Sequence, residues 1–455
     1  MSLAATSAGR VTEKSYREYV NPQWVGLLNV LQMNVRYTRC TGAELFTEDG
    51  RRIIDFLSGY CVHNAGHNHP EIVAALQAEL DRQGPAMLQS HVSDLAGELA
   101  AKLCARAGGR LKKAFFCSSG SEGVEAAIKF SRARTGRAGI IYANGAFHGL
   151  TCGALSLMDE PFWRDGFGPL LADTQAVPFG DLTALENKLA ARRAAAFIVE
   201  PIQSEAGIRI PAPGYLEAAR RLCRKYGTLL VLDEVQTGMY RTGPFLASHG
   251  SSADPDMVIV AKALSGGLIP SGAVLFTDEV YRSVYRSLGR AMAHTSTFSE
   301  NGLAMQAGLA TLDVLERERL GERAASAGAY LRDRLRASLS GFEMVKEVRG
   351  VGLLNGIEFT RPHALKLRVP FEAFHRIHPG MFGQVIVMRL FRDAAFLTQI
   401  CGNNFMVLKA APPLMVKEQH VDEFARALAS VVELMHTSAG FWTEALGMAR
   451  RVVDI

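Results

Sequence analysis

Leu229-Leu230-Val231-Leu232-Asp233-Glu234-Val235-Gln236-Thr237-Gly238 is the stretch from which the architecture of this chain is read. Four consecutive apolar residues with no polar alternation predict a strand covered on both faces, as in a helix-flanked parallel sheet. Two carboxylates follow where that strand ends. Outward from it, the same texture recurs at 114–117, 139–142, 196–199, 257–260 and 273–276. Amphipathic stretches lie between the runs, such as 214–226 with Gly227 as its C-cap. Strands alternating with helices predict an α/β fold with a mostly parallel sheet.

The flanks differ in pattern. Residues 44–55 predict a hairpin turning at Asp49-Gly50. Residues 302–338 predict one or two long helices. Beyond Val348 the pattern is α+β: a strand over 352–359, a loop region, a strand over 405–408 and a closing helix over 417–436. We expect a large domain over 76–330 and a smaller one built from both ends, 1–75 and 331–455.

The 455 residues include 50 basic and 45 acidic ones, a formal net charge of +5. The basic residues are scattered, so nothing resembles the stripe a nucleic-acid partner requires. Seven widely spaced cysteines without a C-x-x-C pair predict a reduced chain. The beginning MSLAATSAGR lacks the features of a signal peptide, and no apolar run reaches the ~18 residues of a membrane span. A cytoplasmic location is expected. Gly66-His67-Asn68-His69-Pro70 reads as a hydrogen-bonded loop rather than a metal tract, having no Cys or Asp partner close by in sequence.

Ligands of open parallel sheets gather where the strands end, so the residues after each run carry the chemistry. After Cys117 come Ser118-Ser119-Gly120-Ser121-Glu122-Gly123 and a helical pattern, small residues before a helix N-terminus that suit a phosphate. This is neither a nucleophile elbow nor a P-loop. Glu200 follows Val199, Asp233 and Glu234 follow Leu232, and Lys262 follows Ala261. Such charges at buried strand ends are either a structural ion pair or working groups. Together these parts fit one cofactor: a phosphate cradle, a carboxylate that keeps a pyridine nitrogen protonated, and a lysine able to form a Schiff base. Phe147 is placed to stack on a flat ring.

The stretches 199–207 (Val-Glu-Pro-Ile-Gln-Ser-Glu-Ala-Gly), 232–238 (Leu-Asp-Glu-Val-Gln-Thr-Gly) and 261–267 (Ala-Lys-Ala-Leu-Ser-Gly-Gly) together resemble the signature of class III pyridoxal-phosphate aminotransferases. Ser119-Gly120-Ser121-Glu122, Phe147-His148-Gly149, Thr295-Ser296-Thr297-Phe298 and Ala411-Pro412-Pro413-Leu414 extend the resemblance over roughly residues 20–435. It implies the aspartate-aminotransferase fold, fold type I of the pyridoxal-phosphate enzymes, with a seven-stranded, mostly parallel sheet. It implies pyridoxal 5′-phosphate as cofactor, a homodimer with shared sites, and a small-molecule amine donor and carbonyl acceptor.

By resemblance, Lys262 forms the Schiff base and shuttles a proton, and Asp233 pairs with the pyridinium. Gln236 meets the ring oxygen and Phe147 stacks on the ring. Ser119, Gly120 and Ser121 hold the phosphate, joined by Thr297 of the other subunit, while His148 and Glu200 complete the cofactor site. Tyr60 matches a position where ornithine transaminases place a tyrosine beside the substrate; a packed core tyrosine is the alternative. Two positions depart from the pattern. Leu150 stands where many relatives carry a carboxylate-gripping arginine, and Lys409 where many carry another. Since a lysine does not reproduce a guanidinium fork, we expect Lys409 to pair with Glu205 and Leu150 to make its part of the pocket apolar. Terminal amines are then the better donors, unless Arg36 or Arg39 supplies the missing charge. An aminomutase or decarboxylase on the same fold, a catalytically silent relative and a nicotinamide dehydrogenase are the other readings. The last rests on residues 350–356, one residue too long for G-x-G-x-x-G.

Overall fold

The computed structural model describes residues 8–88 and 90–453. Seven strands form the central sheet in the order Leu111–Cys117, Gly272–Thr277, Met257–Val260, Leu229–Asp233, Ala194–Val199, Gly139–Ala143 and Thr174–Val177. Gly272–Thr277 is antiparallel to both neighbours, and the other six strands run parallel to one another. The continuous apolar runs are explained by burial. Every residue of Ala194–Val199, Met257–Val260 and Gly272–Thr277 is inaccessible, covered by helices on both faces. Thr174–Val177 is the strand without a run, because a short edge strand needs no unbroken apolar segment.

The helix Tyr215–Tyr226 ends at Gly227, whose left-handed φ of 67° lets the chain turn back into the sheet. The strands Glu44–Thr47 and Arg52–Asp55 form the expected antiparallel hairpin, with Gly50 at φ 83°. Helices span Gly302–Arg317 and Leu320–Leu339.

The C-terminal part corrects two expectations. The region between the strands Leu354–Phe359 and Asn404–Ala410 is not a loop. It holds the helices Leu365–Ile377 and Phe382–Ala394. Pro370 inside the first interrupts the pattern a helix is read from. The second buries eight of its residues. The helix Glu418–Thr437 does not close the chain either, because Ala439–Val453 follows it as another helix.

The chain's two ends meet. Phe396–Leu397 adds in parallel to Arg52–Asp55, and a separate antiparallel sheet holds Val345–Val351, Leu354–Phe359, Asn404–Ala410 and Gln399–Cys401. Arg241 fastens these parts to the large sheet. Its buried guanidinium donates to the carbonyls of Leu353 and Pro412, to Ser58 Oγ and to Asn64 Oδ1. Burial lowers its affinity for a proton, and neutral acceptors rather than a carboxylate take the hydrogen bonds of its two terminal nitrogens.

His67 and His69 do have acidic partners, at 2.7 Å from Asp55 and 3.0 Å from Glu318, brought to them by the fold rather than by sequence proximity. Among the described residues, no helix is long and apolar enough to cross a membrane.

Candidate active site

Because six strands point the same way, five of their carboxyl ends empty onto one edge of the sheet. A cavity of about 450 Å³ opens there, lined by Ser118–Ser121, Phe147, His148, Glu200, Asp233, Gln236 and Lys262 among others.

The cradle at one end is a helix start. Ser119, extended at φ −156°, caps Gly120–Thr135 by accepting the Glu122 amide at 3.2 Å. Gly120 is required by packing, since a Cβ there would stand 2.8 Å from Val235 Cγ2. Ser121 Oγ lies 2.7 Å from Thr151 Oγ1 and accepts the Thr151 amide at 3.1 Å. The positive end of this helix faces the cavity.

Asp233 ends its strand with one carboxylate oxygen 2.7 Å from His148 Nδ1 and the other accepting the Val235 amide at 3.1 Å. Burial alone would depress His148. The hydrogen bond to Asp233 and the charge of Glu200 outweigh it and raise the imidazole above its ordinary value. Glu200 accepts the amides of Phe147 and Ser204, both at 3.1 Å. Burial, with Asp233 nearby, pushes its carboxyl up to about 7.

Glu200 therefore carries a pH signature. Its folded value exceeds its ordinary 4.5, so folding favours the protonated form. This contribution to stability is complete below about pH 4.5 and is lost as pH rises through about 7. Urea midpoints of the cofactor-free chain should fall across that window, and Glu200→Gln should flatten the fall, leaving the part due to His148. An unchanged slope in the variant would rule this out.

Lys262 leaves its strand with φ 47°, a left-handed conformation uncommon for a non-glycine residue and concentrated at functional sites. The turn continues through Gly267 at φ 80°, where a Cβ would come 2.5 Å from His63 Nδ1. Burial lowers the ammonium's affinity for its proton, which favours the nucleophilic free amine.

Behind Gln236 lies a buried polar group. Glu205 Oε1 accepts from Gln236 Nε2 at 3.0 Å and from Lys409 Nζ, while its Oε2 accepts the Gly402 amide at 2.8 Å. Burial would raise Glu205, but Lys409 and the other donors hold it down to about 2. Burial would likewise lower Lys409, and Glu205 carries it well above its ordinary range instead. Lys409 is fully buried, 5.4 Å from the centre of the Tyr60 ring.

The structure thus brings Ser119, Gly120, Ser121, Phe147, His148, Glu200, Asp233, Gln236 and Lys262 into one wall. Tyr60, Glu205 and Lys409 form the group behind it. Leu150 is 53% exposed and does not line the cavity of its own chain. Gly149, at φ 116°, turns the backbone there before Thr151 returns to Ser121. Thr297 is exposed in a turn and does not line its own chain's cavity. Arg36, just before the strand Tyr37–Thr41, faces Glu48, and Arg39 on that strand lies over Phe46. Sequence reasoning missed residues 268–271. They reach the cavity because the following strand, Gly272–Thr277, runs antiparallel and starts at this edge, a direction no local pattern reveals.

The wall fits a phosphorylated pyridine cofactor. Gln236 Oε1, His148 Nε2 and Ser271 Oγ are buried without a hydrogen-bond partner among the described residues, as groups awaiting a polar ligand would be.

The family model for class-III aminotransferases matches residues 28–432. The chain belongs to that family. Its cofactor is accordingly pyridoxal 5′-phosphate. The aminotransferase PigE of a Serratia species is 34% identical over 96% of this chain, and the chain spans 55% of that relative, about half its length. Among solved structures, the ornithine aminotransferase of Toxoplasma gondii superposes with a TM-score of 0.81 at 28% identity, covering 95% of this chain and 96% of its own. That structure is described as having partial occupancy of the same cofactor at its active site. An amine transaminase of an uncultivated Pseudomonas species gives 0.75 at 27% identity, covering 87% and 94%. The fold is that of the fold type I aminotransferases.

Proposed function

We propose that this class III protein is a transaminase that takes its amino group from a terminal amine, such as ornithine, putrescine or another diamine, and passes it to a keto acid or aldehyde. The donor class rests on one observation above all: the cation at position 409 is committed to Glu205, which three donors hold behind the wall. Among the described residues, no arginine lines the cavity. A compact ammonium already paired does not offer a carboxylate the bidentate grip of a guanidinium. The neighbours named for ornithine and for amines support the same class.

The bound cofactor supplies an electron sink that stabilises negative charge on the substrate carbon. Each residue has a task around it. Lys262 Nζ is the attachment point and, once displaced, moves the proton. Asp233 keeps the pyridine nitrogen protonated, and His148, donating through Nδ1, holds Asp233 in place. Gln236 would hydrogen-bond the ring oxygen, Phe147 would cover one ring face, and Ser119, Gly120 and Ser121 at the helix start would hold the phosphate. Glu200 anchors the Phe147 backbone.

A donor panel compared by kcat/KM at fixed acceptor reads differential transition-state binding. Terminal amines should lead it, and the reaction should consume one acceptor per donor. Glutamate or alanine outperforming every terminal amine would overturn the donor class, and turnover without an acceptor would overturn transamination.

Two copies of the chain form the working unit in this proposal, with Thr297 reaching the partner's phosphate. Its exposure outside its own cavity supports that reading. Sedimentation should show an active dimer and no active monomer. A fully active monomer would refute the shared site.

A further inference from the structure

The hairpin that carries Lys409 also carries Asn403, in the turn between the strands Gln399–Cys401 and Asn404–Ala410. Every polar group of the Asn403 side chain is spent on the segment leading into Phe147 or on Trp163 beside it, and its amide on Glu205. Its Oδ1 accepts from Trp163 Nε1 at 2.8 Å, and its Nδ2 donates to the carbonyls of Gly145 at 3.0 Å and Ala146 at 3.2 Å. Its amide donates to the Glu205 carbonyl at 2.9 Å. Gly145 and Ala146 are the two residues before Phe147, and Trp163 meets the Phe147 ring edge-on, with centroids 5.4 Å apart and planes at 78°. Phe147 itself donates its amide to Glu200. One side of the Phe147 segment is thus fixed by Glu200 and the other by Asn403.

From this we infer that Asn403 is a positioning residue for the cofactor site: it presses Trp163 against Phe147 and so fixes the ring that covers the cofactor. The inference rests on the reading that Phe147 stacks on the cofactor. The physical reason for such a device is that an aromatic ring on a loop has rotational freedom that stacking must otherwise remove. Two carbonyls tied to one amide, plus an edge-on indole, remove that freedom before the cofactor arrives, which is preorganisation in the ordinary sense. The Gly402 amide also binds Glu205 in the same turn. The turn therefore seats both on the polar group behind Gln236 and on the ring-covering loop.

The test uses the cofactor-loaded protein and four variants: Phe147→Leu, Asn403→Ala, Trp163→Phe and the double Asn403→Ala/Trp163→Phe. The readouts are the visible circular dichroism of the bound cofactor, its dissociation rate on dialysis, and Tm. Asn403→Ala is expected to speed cofactor loss about tenfold, the equivalent of one lost hydrogen-bonded constraint, and to change the visible signal. Trp163→Phe should do so to a smaller extent, since Asn403 still holds the Gly145 and Ala146 carbonyls, and the double variant should go no further than Asn403→Ala, because the Trp163 indole bond is already lost there. Asn403→Ala leaving cofactor loss and the visible signal unchanged, while Phe147→Leu alters both, would overturn the inference and spare the stacking. Additive effects in the double variant would overturn it too. An unaltered Phe147→Leu would instead remove the stacking reading, and this inference with it.

Discussion

Lys262→Ala should lose transaminase turnover by at least about four orders of magnitude. One side chain then fails in two tasks, since the attachment point and the group that moves the proton disappear together, and general acid–base action alone accounts for about 10²–10⁴. The structure explains why this lysine is suited to both. It leaves a buried strand, its ammonium is disfavoured by burial, and it stands in the same wall as Asp233. Borohydride reduction of the loaded protein, followed by peptide mapping, should place the pyridoxyl label on Lys262. A label on Lys409 or any other lysine would defeat the assignment. The contrast with Lys409 is informative. That side chain is buried as well, yet Glu205 raises its affinity for a proton, whereas burial lowers that of Lys262.

Asp233→Asn should keep the fold and some cofactor binding while slowing turnover by about 10²–10³, the range for removing one preorganised electrostatic contact. Asparagine keeps the size and one oxygen that can accept the Val235 amide. It removes the negative charge that holds a pyridine nitrogen protonated and that raises His148. Visible spectra of the loaded variant should shift with the ring's protonation. Near-normal turnover would discard the electron-sink account of this carboxylate.

The contents of the cavity wall were largely legible in the chain, because they follow directly on strand exits. Asp233, Lys262 and Glu200 each come within two residues of an apolar run, and Ser119–Ser121 form the start of a helix. The supporting layer was less legible. Asn403 and Trp163 are 240 residues apart, and neither sits in a pattern that announces a contact. Residues 268–271 were missed because the reversal of one strand carries no local mark. The helix 365–377 was missed because its internal proline breaks the pattern from which a helix is read.

By itself, the sequence determined the α/β class, the sheet's buried strands and the family, since burial on both faces demands unbroken apolar runs and a cofactor demands particular groups at their ends. Only the tertiary structure decided that Leu150 stands exposed outside its own chain's cavity, and that Arg241 and Asn403 fasten the chain's two ends to the large sheet. Those outcomes depend on which distant groups share a buried space, where an unpaired charge or carbonyl is costly and a paired one is stable.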